Sequence, residues 1–312
     1  EEDQARAGGG LEARAARVRE DEHLGGDAAE REPHLGERRL DLGRLVGVEA
    51  AVTGVRDRGV ARLGDELERI GYAGPVPCPA ASAPHAFVEL HIEQGPVLED
   101  EGVTIGVVTG VQGISWTELT IAGQSAHAGT TPMRLRRDPG VVAAQISVGV
   151  RTIATEFGGT QVATVGLMRF EPNLVNVVPA KVTMTVDLRN TDEMVLRGAE
   201  ARFRALCDSC AAAENVTIAS RPLARFEPVE FDAHMVDLVE ATAVRLGCST
   251  MRMPSGAGHD AQMLARVCPT AMVFVPSVNG LSHNIAEYTH PADITAGANV
   301  LLQVVLAKAS EV

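Results

Sequence analysis

The segment His91-Ile92-Glu93-Gln94-Gly95-Pro96 has residue types that suit a metal or catalytic site. It follows an apolar run at residues 87–90 and ends in turn residues, which places a histidine beside an acid and an amide at the end of a predicted strand. Imidazole and carboxylate groups are common zinc ligands. A His-x-Glu triplet also occurs often by chance, and a single histidine at a strand end is usually a hydrogen-bonded structural residue. The segment therefore indicates a site only if other polar residues come near it.

Further polar side chains lie in loops of small residues, where a neutral residue would serve the fold as well. They occur in four clusters: residues 123–132 with His127, 172–179 with Asn176 followed by Asp187-Leu188-Arg189, 254–260 with His259, and 280–284 with His283. An asparagine amide can bond a carbonyl, an arginine fork matches a carboxylate, and glycine-rich backbone before a helix can hold an anion. Each cluster alone is more simply a turn or a surface ion pair. Together, four histidines in small-residue loops at strand ends predict a shared site.

The order of the predicted elements indicates an α/β fold with an inserted module. A helix at 63–70 and a Pro/Ala/Ser-rich loop at 74–84 precede the strand before His91. A β-α-β-β-α-β order, typical of a ferredoxin-like split unit, is predicted at 114–121, 141–157, 161–170, 182–189, 193–213 and 216–221. Helix and strand then alternate. One helix ends at residue 246, a second covers 261–266 and a third begins after 296, and the strands cover 250–253 and 271–275. We expect this last region to continue the domain that contains His91.

Residues 1–45 differ from the rest of the chain. They are highly charged, no aromatic Phe, Tyr or Trp precedes Tyr72, and the first methionine is Met133. No segment of this region has the periodicity of a buried strand or helix. We expect either a solvated, disordered arm or a stretch translated out of frame, and in both cases a chain that is a fragment with no site in this region.

Composition limits the classes of partner. The net charge of −13 argues against nucleic acid, and 45% hydrophobic with 22% charged residues is typical of a globular protein. No apolar run of about 18 residues and no basic-then-apolar N-terminus predicts a membrane segment. The five cysteines form no regular framework, so we expect no disulfides and a cytoplasmic location.

The five motifs, together with Glu287-Tyr288 after His283, resemble in order and spacing the M20-type metal-dependent amidohydrolases. The N-carbamoyl-L-amino acid hydrolases are the most similar branch, beside β-ureidopropionase and allantoate amidohydrolase. The resemblance extends from about residue 46 to the end. It implies a di-metal peptidase-like catalytic domain, incomplete here, with an inserted ferredoxin-like lid and dimerisation domain. The implied domains are an aberrant or disordered arm at 1–45, catalytic parts at 46–112 and 226–312, and a lid at 113–225.

The resemblance also implies roles for individual residues. His91 and His283 would each bind one ion of a centre of two zinc or manganese ions. Five residues would contact a small carboxylate substrate: Gln94 its ureido or amide group, His127 and Asn176 the scissile carbonyl, Arg189 the carboxylate, and His259 an undefined part. The chain would form a homodimer through the lid, so His127 or Asn176 would act in the neighbouring subunit's site. The reaction would yield an amino acid, carbon dioxide and ammonia from an N-carbamoyl amino acid.

The sequence also departs from the family pattern. The family's histidine-x-aspartate, glycine-rich aspartate and Glu-Glu-Gly motifs, which supply the other metal ligands and the general base, are not found before His91. Because a catalytic zinc needs about three protein ligands, we expect impaired metal binding and an inactive chain without a catalytic base. The substrate stays open between an N-carbamoyl amino acid, N-carbamoyl-β-alanine and allantoate.

Two alternatives belong to other functional classes. His91-Ile92-Glu93 with Cys207-x-x-Cys210 resembles the motif pair of zinc nucleobase deaminases. However, Leu206 stands where that motif has proline, and both cysteines fall in a predicted helix. The other alternative is a non-catalytic remnant that only dimerises.

Overall fold

The computed structural model describes residues 63–72 and 83–311, which belong to one compact unit extending from Asp41 to Val312. The arm expected at residues 1–45 lies outside the described residues. In chain order the first elements are α1 (Leu63–Arg69), β1 (Phe87–Ile92), α2 (Val97–Asp100), β2 (Ile105–Val111), β3 (Gly113–Ala122), β4 (Ala126–His127), α3 (Pro139–Phe157), β5 (Val162–Glu171), β6 (Val177–Val178) and β7 (Lys181–Asn190). They are followed by α4 (Glu193–Glu214), β8 (Thr217–Phe226), β9 (Val229–Glu230), α5 (Ala233–Arg245), β10 (Thr250–Ser255), α6 (Asp260–Leu264), β11 (Thr270–Val275) and α7 (Pro291–Ala309). Two 3-10 helices cover Met133–Leu135 and Val278–Gly280.

The first sheet is mixed and has the order β1-β11-β2-β10, with β9 paired to β2. β1 runs parallel to β11 and β10 parallel to β2, whereas β11 and β2 are antiparallel. All six residues of β11 are buried, as expected of a central apolar strand covered on both faces. Helices α5, α6 and α7 all contact β11. This sheet positions the ends of β1 and β10.

Helix α7 combines a buried and an exposed apolar surface. Its length and composition would allow it to cross a membrane, and it is the helix with that property among the residues described. It contacts β1, β11 and α5, and Gly297, Val300 and Val304 are buried against them. On its other side Leu302 and Leu306 are about half exposed. We therefore interpret α7 as a helix of the first layer with an uncovered outer face.

The second sheet is antiparallel and has the order β5-β7-β3-β8. Its elements follow one another as β3-α3-β5-β7-α4-β8, with the two-residue strands β4 and β6 paired separately. Burial alternates along β7, so that one face packs against α3 and α4 in a single apolar core. The opposite face of β7 carries Asp187 and Arg189. The module therefore turns a polar sheet face away from its own helices.

Aspartate residues cap the starts of three of the four long helices, namely α3, α4 and α5. Side chains of Asp138, Asp192 and Asp232 accept backbone N–H groups at the starts of α3, α4 and α5, which satisfies donors that the helix itself leaves free. Asn215 ends α4 in the left-handed conformation. These local signals explain why the predicted and observed helix bounds nearly coincide.

The short elements α2, β4, β6 and β9 were not predicted from the sequence, and four longer elements differ from the prediction. β2 was not predicted, because its sequence IGVVTGV is buried almost throughout and therefore lacks alternation. β8 extends to Phe226 although it contains Pro222, which is tolerated because β8 is an edge strand with a register shift opposite that residue. α7 begins at Pro291 rather than after residue 296, since proline is favoured in the first helical turn. His91 lies within β1 rather than beyond its end.

Candidate functional site

The turn after β1 is held by Glu93, a residue with only 9% of its surface exposed. Its two carboxylate oxygens accept the backbone N–H groups of Val97 at 2.9 Å and Leu98 at 2.8 Å, at the start of α2. Gly95 is required beside it, because a Cβ there would lie 2.8 Å from Glu93 Oε1. Glu93 is therefore a structural cap rather than a free acid.

Gln94 is the residue that this turn presents. Its φ of 58° is in the left-handed region, which is rare for a residue other than glycine. Its backbone N donates to Ser277 Oγ at 3.1 Å, and its side-chain Nε2 donates to Ser282 Oγ at 3.0 Å. The carboxamide is thus fixed by two serines from the loop after β11.

A cleft of about 550 Å³ lies between the two sheets beside this turn. Three of the predicted site residues line it, namely Gln94, Arg189 and His283. Its walls come from the turn after β1, from β5 and β7 of the second sheet, from the end of β10 and from the loop after β11. The cleft therefore joins parts of the chain that are nearly 200 residues apart.

Arg189 is held by groups of its own chain. Its Nε and Nη2 donate to the carboxylate of Asp187 at 2.7–3.1 Å, and its Nη1 donates to the carbonyl oxygen of Gly256 at 2.5 Å. The guanidinium also lies 5.8 Å from the ring centre of Trp116. The carboxylate that Arg189 binds here is internal, and a substrate carboxylate would have to compete with it.

Gln112 was not identified from the sequence. It joins β2 to β3, lines the cleft, and is 8% exposed. Its Nε2 donates to the Thr160 carbonyl at 3.4 Å, whereas its Oε1 is without a hydrogen-bond partner among the described residues. Since buried polar atoms are normally paired, this oxygen is a candidate acceptor for a ligand N–H group.

His283 lies in an exposed loop at the mouth of the cleft. Its φ is 56°, and its backbone N–H donates to Glu287 Oε2 at 3.0 Å. The Glu287 carboxylate thus fixes the backbone of this loop at His283.

His91 lies beside two other groups capable of binding metal. Glu89, His91 and His259 each have one possible ligand atom within 4.8 Å of those of the other two. The described part of the chain contains this one group of three or more metal-capable side chains. The two imidazole rings meet edge to face with 4.7 Å between centroids. We call these three residues the Glu89 cluster. Glu89 was not predicted, although alternation along β1 places it on the same face as His91.

Burial controls protonation in the Glu89 cluster. It lowers the pKa of His259 to about 4, with a smaller effect from the nearby His91. It also raises the pKa of Glu89, an effect opposed by the Ala261 N–H group that donates to its carboxylate at 3.0 Å. His259 is therefore neutral at pH 7 and has a lone pair available for a metal ion.

His127 and Asn176 do not line the cleft of their own chain. Both are exposed, and they lie on the paired strands β4 and β6 or directly beside them. His127 Nδ1 accepts the Gly129 N–H at 3.0 Å, and the carbonyl oxygen of Asn176 accepts the Ala128 N–H at 2.9 Å. Within one chain they stand apart from Gln94, and their contact with substrate, including that of a neighbouring subunit, stays a prediction.

The deaminase interpretation is wrong. Cys207 and Cys210 lie on α4 in the core of the second sheet, whereas His91 belongs to the first sheet. Burial also raises the pKa of the Cys207 thiol to about 12. These cysteines serve packing.

Comparison with known proteins agrees with this architecture. The sequence model of Peptidase family M20/M25/M40 matches residues 38–307. The chain belongs to this family. Its relatives include an N-carbamoyl-L-amino-acid amidohydrolase from Rhizobium meliloti, 45% identical over 244 residues, which are 78% of this chain and 58% of that protein. The Escherichia coli K12 allantoate amidohydrolase is 40% identical over 242 residues, 76% of this chain and 58% of that protein.

Solved structures give the same grouping. The crystal structure of an amidase of the hydantoinase/carbamoylase family from Burkholderia vietnamiensis superimposes with a TM-score of 0.78 and 44% identity, covering 86% of this chain and 65% of that one. The resemblance to the carbamoylase and allantoate amidohydrolase branch is therefore confirmed. The chain spans little more than half the length of the curated relatives it matches.

Among the described residues, one group of side chains fits a divalent metal ion. The Glu89 cluster offers two imidazoles and a carboxylate, a ligand set that zinc uses in hydrolases. His283, which the family resemblance assigns to a second ion, is not part of a group of three metal-capable side chains in the described residues.

Proposed function

We propose that this chain supplies the substrate-binding cleft of a metal-dependent amidohydrolase that cleaves linear amide or ureido C–N bonds. The proposed substrate is an N-carbamoyl-L-amino acid, and the products are the amino acid, carbon dioxide and ammonia. The cleft geometry carries this proposal, because Arg189 lies in the same cleft as Gln94 and His283. A guanidinium near an amide and an imidazole suits a substrate with a carboxylate at one end and a polar carbonyl at the other.

Each cleft residue has a proposed part in substrate binding. Arg189 releases Asp187, its internal partner, and binds the α-carboxylate of the substrate instead. Gln94, which its two serine contacts hold in place, orients the ureido group, and His283 lines the same cleft. Divalent ions, zinc or manganese, when bound, would lower the pKa of a water molecule and polarise the scissile carbonyl.

We further propose that the second sheet and its helices form a ferredoxin-like lid and dimerisation domain at residues 113–225. The exposed positions of His127 and Asn176 support this assignment, because both side chains are available to a second copy of the chain. The catalytic parts would be residues 46–112 and 226–312. A cytoplasmic location stays a prediction.

Allantoate and N-carbamoyl-β-alanine are the alternative substrates. The relationship to an E. coli allantoate amidohydrolase favours the first, since Arg189 would bind its carboxylate equally well. We propose that this chain binds such ligands without turnover, because its sequence contains no match to the family's Glu-Glu-Gly motif. Release of ammonia from N-carbamoyl-L-methionine by this polypeptide with added zinc or manganese would contradict that statement.

Tryptophan fluorescence tests the binding function directly. Trp116 is the single tryptophan and lies beside Arg189, so it reports on the cleft. N-Carbamoyl-L-methionine should change its emission saturably, and allantoate or N-carbamoyl-β-alanine should compete according to preference. R189M should weaken binding at least tenfold, while R204M, at an exposed position of α4, serves as the control. Equal affinity for the analogue without its carboxylate would refute the role of Arg189.

A further inference from the structure

Every member of the Glu89 cluster has one polar atom bound by the protein and one left over. His91 Nδ1 lies 2.8 Å from the carbonyl oxygen of the next residue, which leaves Nε2 available. Glu89 Oε2 accepts a backbone N–H, which leaves Oε1. His259 Nε2 bonds a serine hydroxyl, which leaves Nδ1. Histidines whose second nitrogen is fixed by an oxygen in this way are typical of metal sites.

Ser255 is placed to accept the Nε2 proton of His259 when Nδ1 binds a metal ion. Its Oγ is 2.7 Å from His259 Nε2 and donates to the Ala257 carbonyl oxygen at 3.1 Å. A hydroxyl has one proton, so while it is donated to Ala257 the oxygen accepts from Nε2 of the imidazole. The lone pair of Nδ1 then faces Glu89 Oε1, 3.7 Å away.

This arrangement, with Nε2 protonated, favours a bound cation between the two residues. The His259 side chain is 2% exposed and that of Glu89 is 18% exposed, so water screens the facing lone pairs poorly. A ligand atom of His91 also lies within 4.8 Å of ligand atoms of Glu89 and His259, so a proton shared by two of these residues does not serve the third. A metal ion accepts all three lone pairs at once.

We propose that Glu89, His91 and His259 bind one divalent transition-metal ion, zinc or manganese, without His283. The proposal deepens the metal-dependent function above and rests on it only for the chemistry that the ion would serve. Ligand atoms about 2.1 Å from a tetrahedral zinc stand about 3.4 Å apart. The Glu89–His259 separation of 3.7 Å is close to this value, and the outer limit of 4.8 Å requires a small side-chain rotation.

Metal titration with ligand variants tests the site without relying on activity. The full chain, stripped with a chelator, is titrated with Zn²⁺ by calorimetry and with Co²⁺ by visible absorption, which reports a tetrahedral site. We expect one ion per chain. E89Q and H259Q should each weaken binding at least roughly tenfold, the lower bound seen when even an indirect partner of a metal ligand is lost.

Two further variants separate this proposal from its alternatives. H283Q should leave the affinity unchanged within about twofold, as should H234Q, which changes an exposed histidine on α5. Circular dichroism of every variant shows whether it has folded, and E89Q and H259Q are two independent probes if either fails. Absence of a bound ion, or loss of binding in H283Q with retention in E89Q, would overturn the proposal. Ligand binding reported by Trp116 fluorescence is a separate readout, so failure of the metal site does not imply failure of the proposed function.

Discussion

Replacement of Glu93 by glutamine should lower both the stability of the protein and the affinity of the cleft for its ligand. The carboxylate accepts two backbone N–H groups at the start of α2, one of them on Leu98, whose side chain is fully buried. Glutamine retains one acceptor oxygen and places an NH₂ group against the other N–H. A hydrogen bond to a charged group contributes about 1.5–3 kcal/mol, and a buried donor left unpaired costs about 1–3 kcal/mol. Allowing for partial relaxation, we expect a loss of about 2–4 kcal/mol in the free energy of unfolding.

Urea unfolding followed by circular dichroism measures this loss. E101Q is the matched control, because Glu101 is exposed at the end of α2. Ligand affinity, measured by Trp116 fluorescence well below the unfolding transition, should fall in E93Q as well, since the turn that fixes Gln94 depends on the cap. A change in unfolding free energy below about 0.5 kcal/mol, typical of a surface substitution, would refute the reasoning.

Other predictions concern the backbone, the acid limb of stability and the cysteines. Gln94→Gly should keep or raise stability by up to about 1 kcal/mol in urea unfolding, because glycine adopts a φ of 58° without strain, yet it should abolish ligand-induced fluorescence changes. In metal-free buffer, His259 contributes stability that is complete above its unfolded pKa of about 6.5 and is lost as pH falls toward 4, since only the unfolded state takes up its proton in that window. H259Q should therefore lose roughly 3 kcal/mol less than the wild type between pH 6.5 and 4, and parallel pH–stability curves would contradict this. Glu89, whose pKa is raised, makes both proteins more stable as the pH falls. The difference between the two pH–stability curves therefore reports on His259. In native protein at pH 8, iodoacetamide should modify the partly exposed Cys248 before Cys207 and Cys210, and mass spectrometry that finds Cys207 labelled first would show that α4 opens.

Sequence patterns predicted the second sheet more closely than the first. β7 alternates strictly in burial, and aspartate caps mark the starts of α3 and α4, so the signals there are local. β2 is buried almost throughout and carries no alternation, and its place between β11 and β10 depends on long-range pairing. Periodicity cannot reveal such a strand.

The site residues that belong to sequence motifs were predictable. Those that join the site only through three-dimensional packing were not. Gln94, Arg189 and His283 were each predicted, and the fold brings all three to one cleft. Glu89 looked like an ordinary strand residue, because only the approach of the loop after β10 places His259 against it. Gln112 gave no signal either, since its unpaired oxygen is a property of the fold.

At the end of β1, the contacts that fix Gln94 are separate from the Glu89 cluster. Glu89 and His91 share one face of the strand, whereas the turn capped by Glu93 reverses the chain before Gln94 reaches the cleft. Gln94 is held by serines from the loop after β11, and none of these contacts involves the Glu89 cluster. The cleft therefore does not need a bound ion to keep its shape. If this is correct, H259Q should lose metal affinity and still bind N-carbamoyl-L-methionine as the wild type does. Parallel loss of metal affinity and of ligand affinity would show instead that the ion organises the cleft.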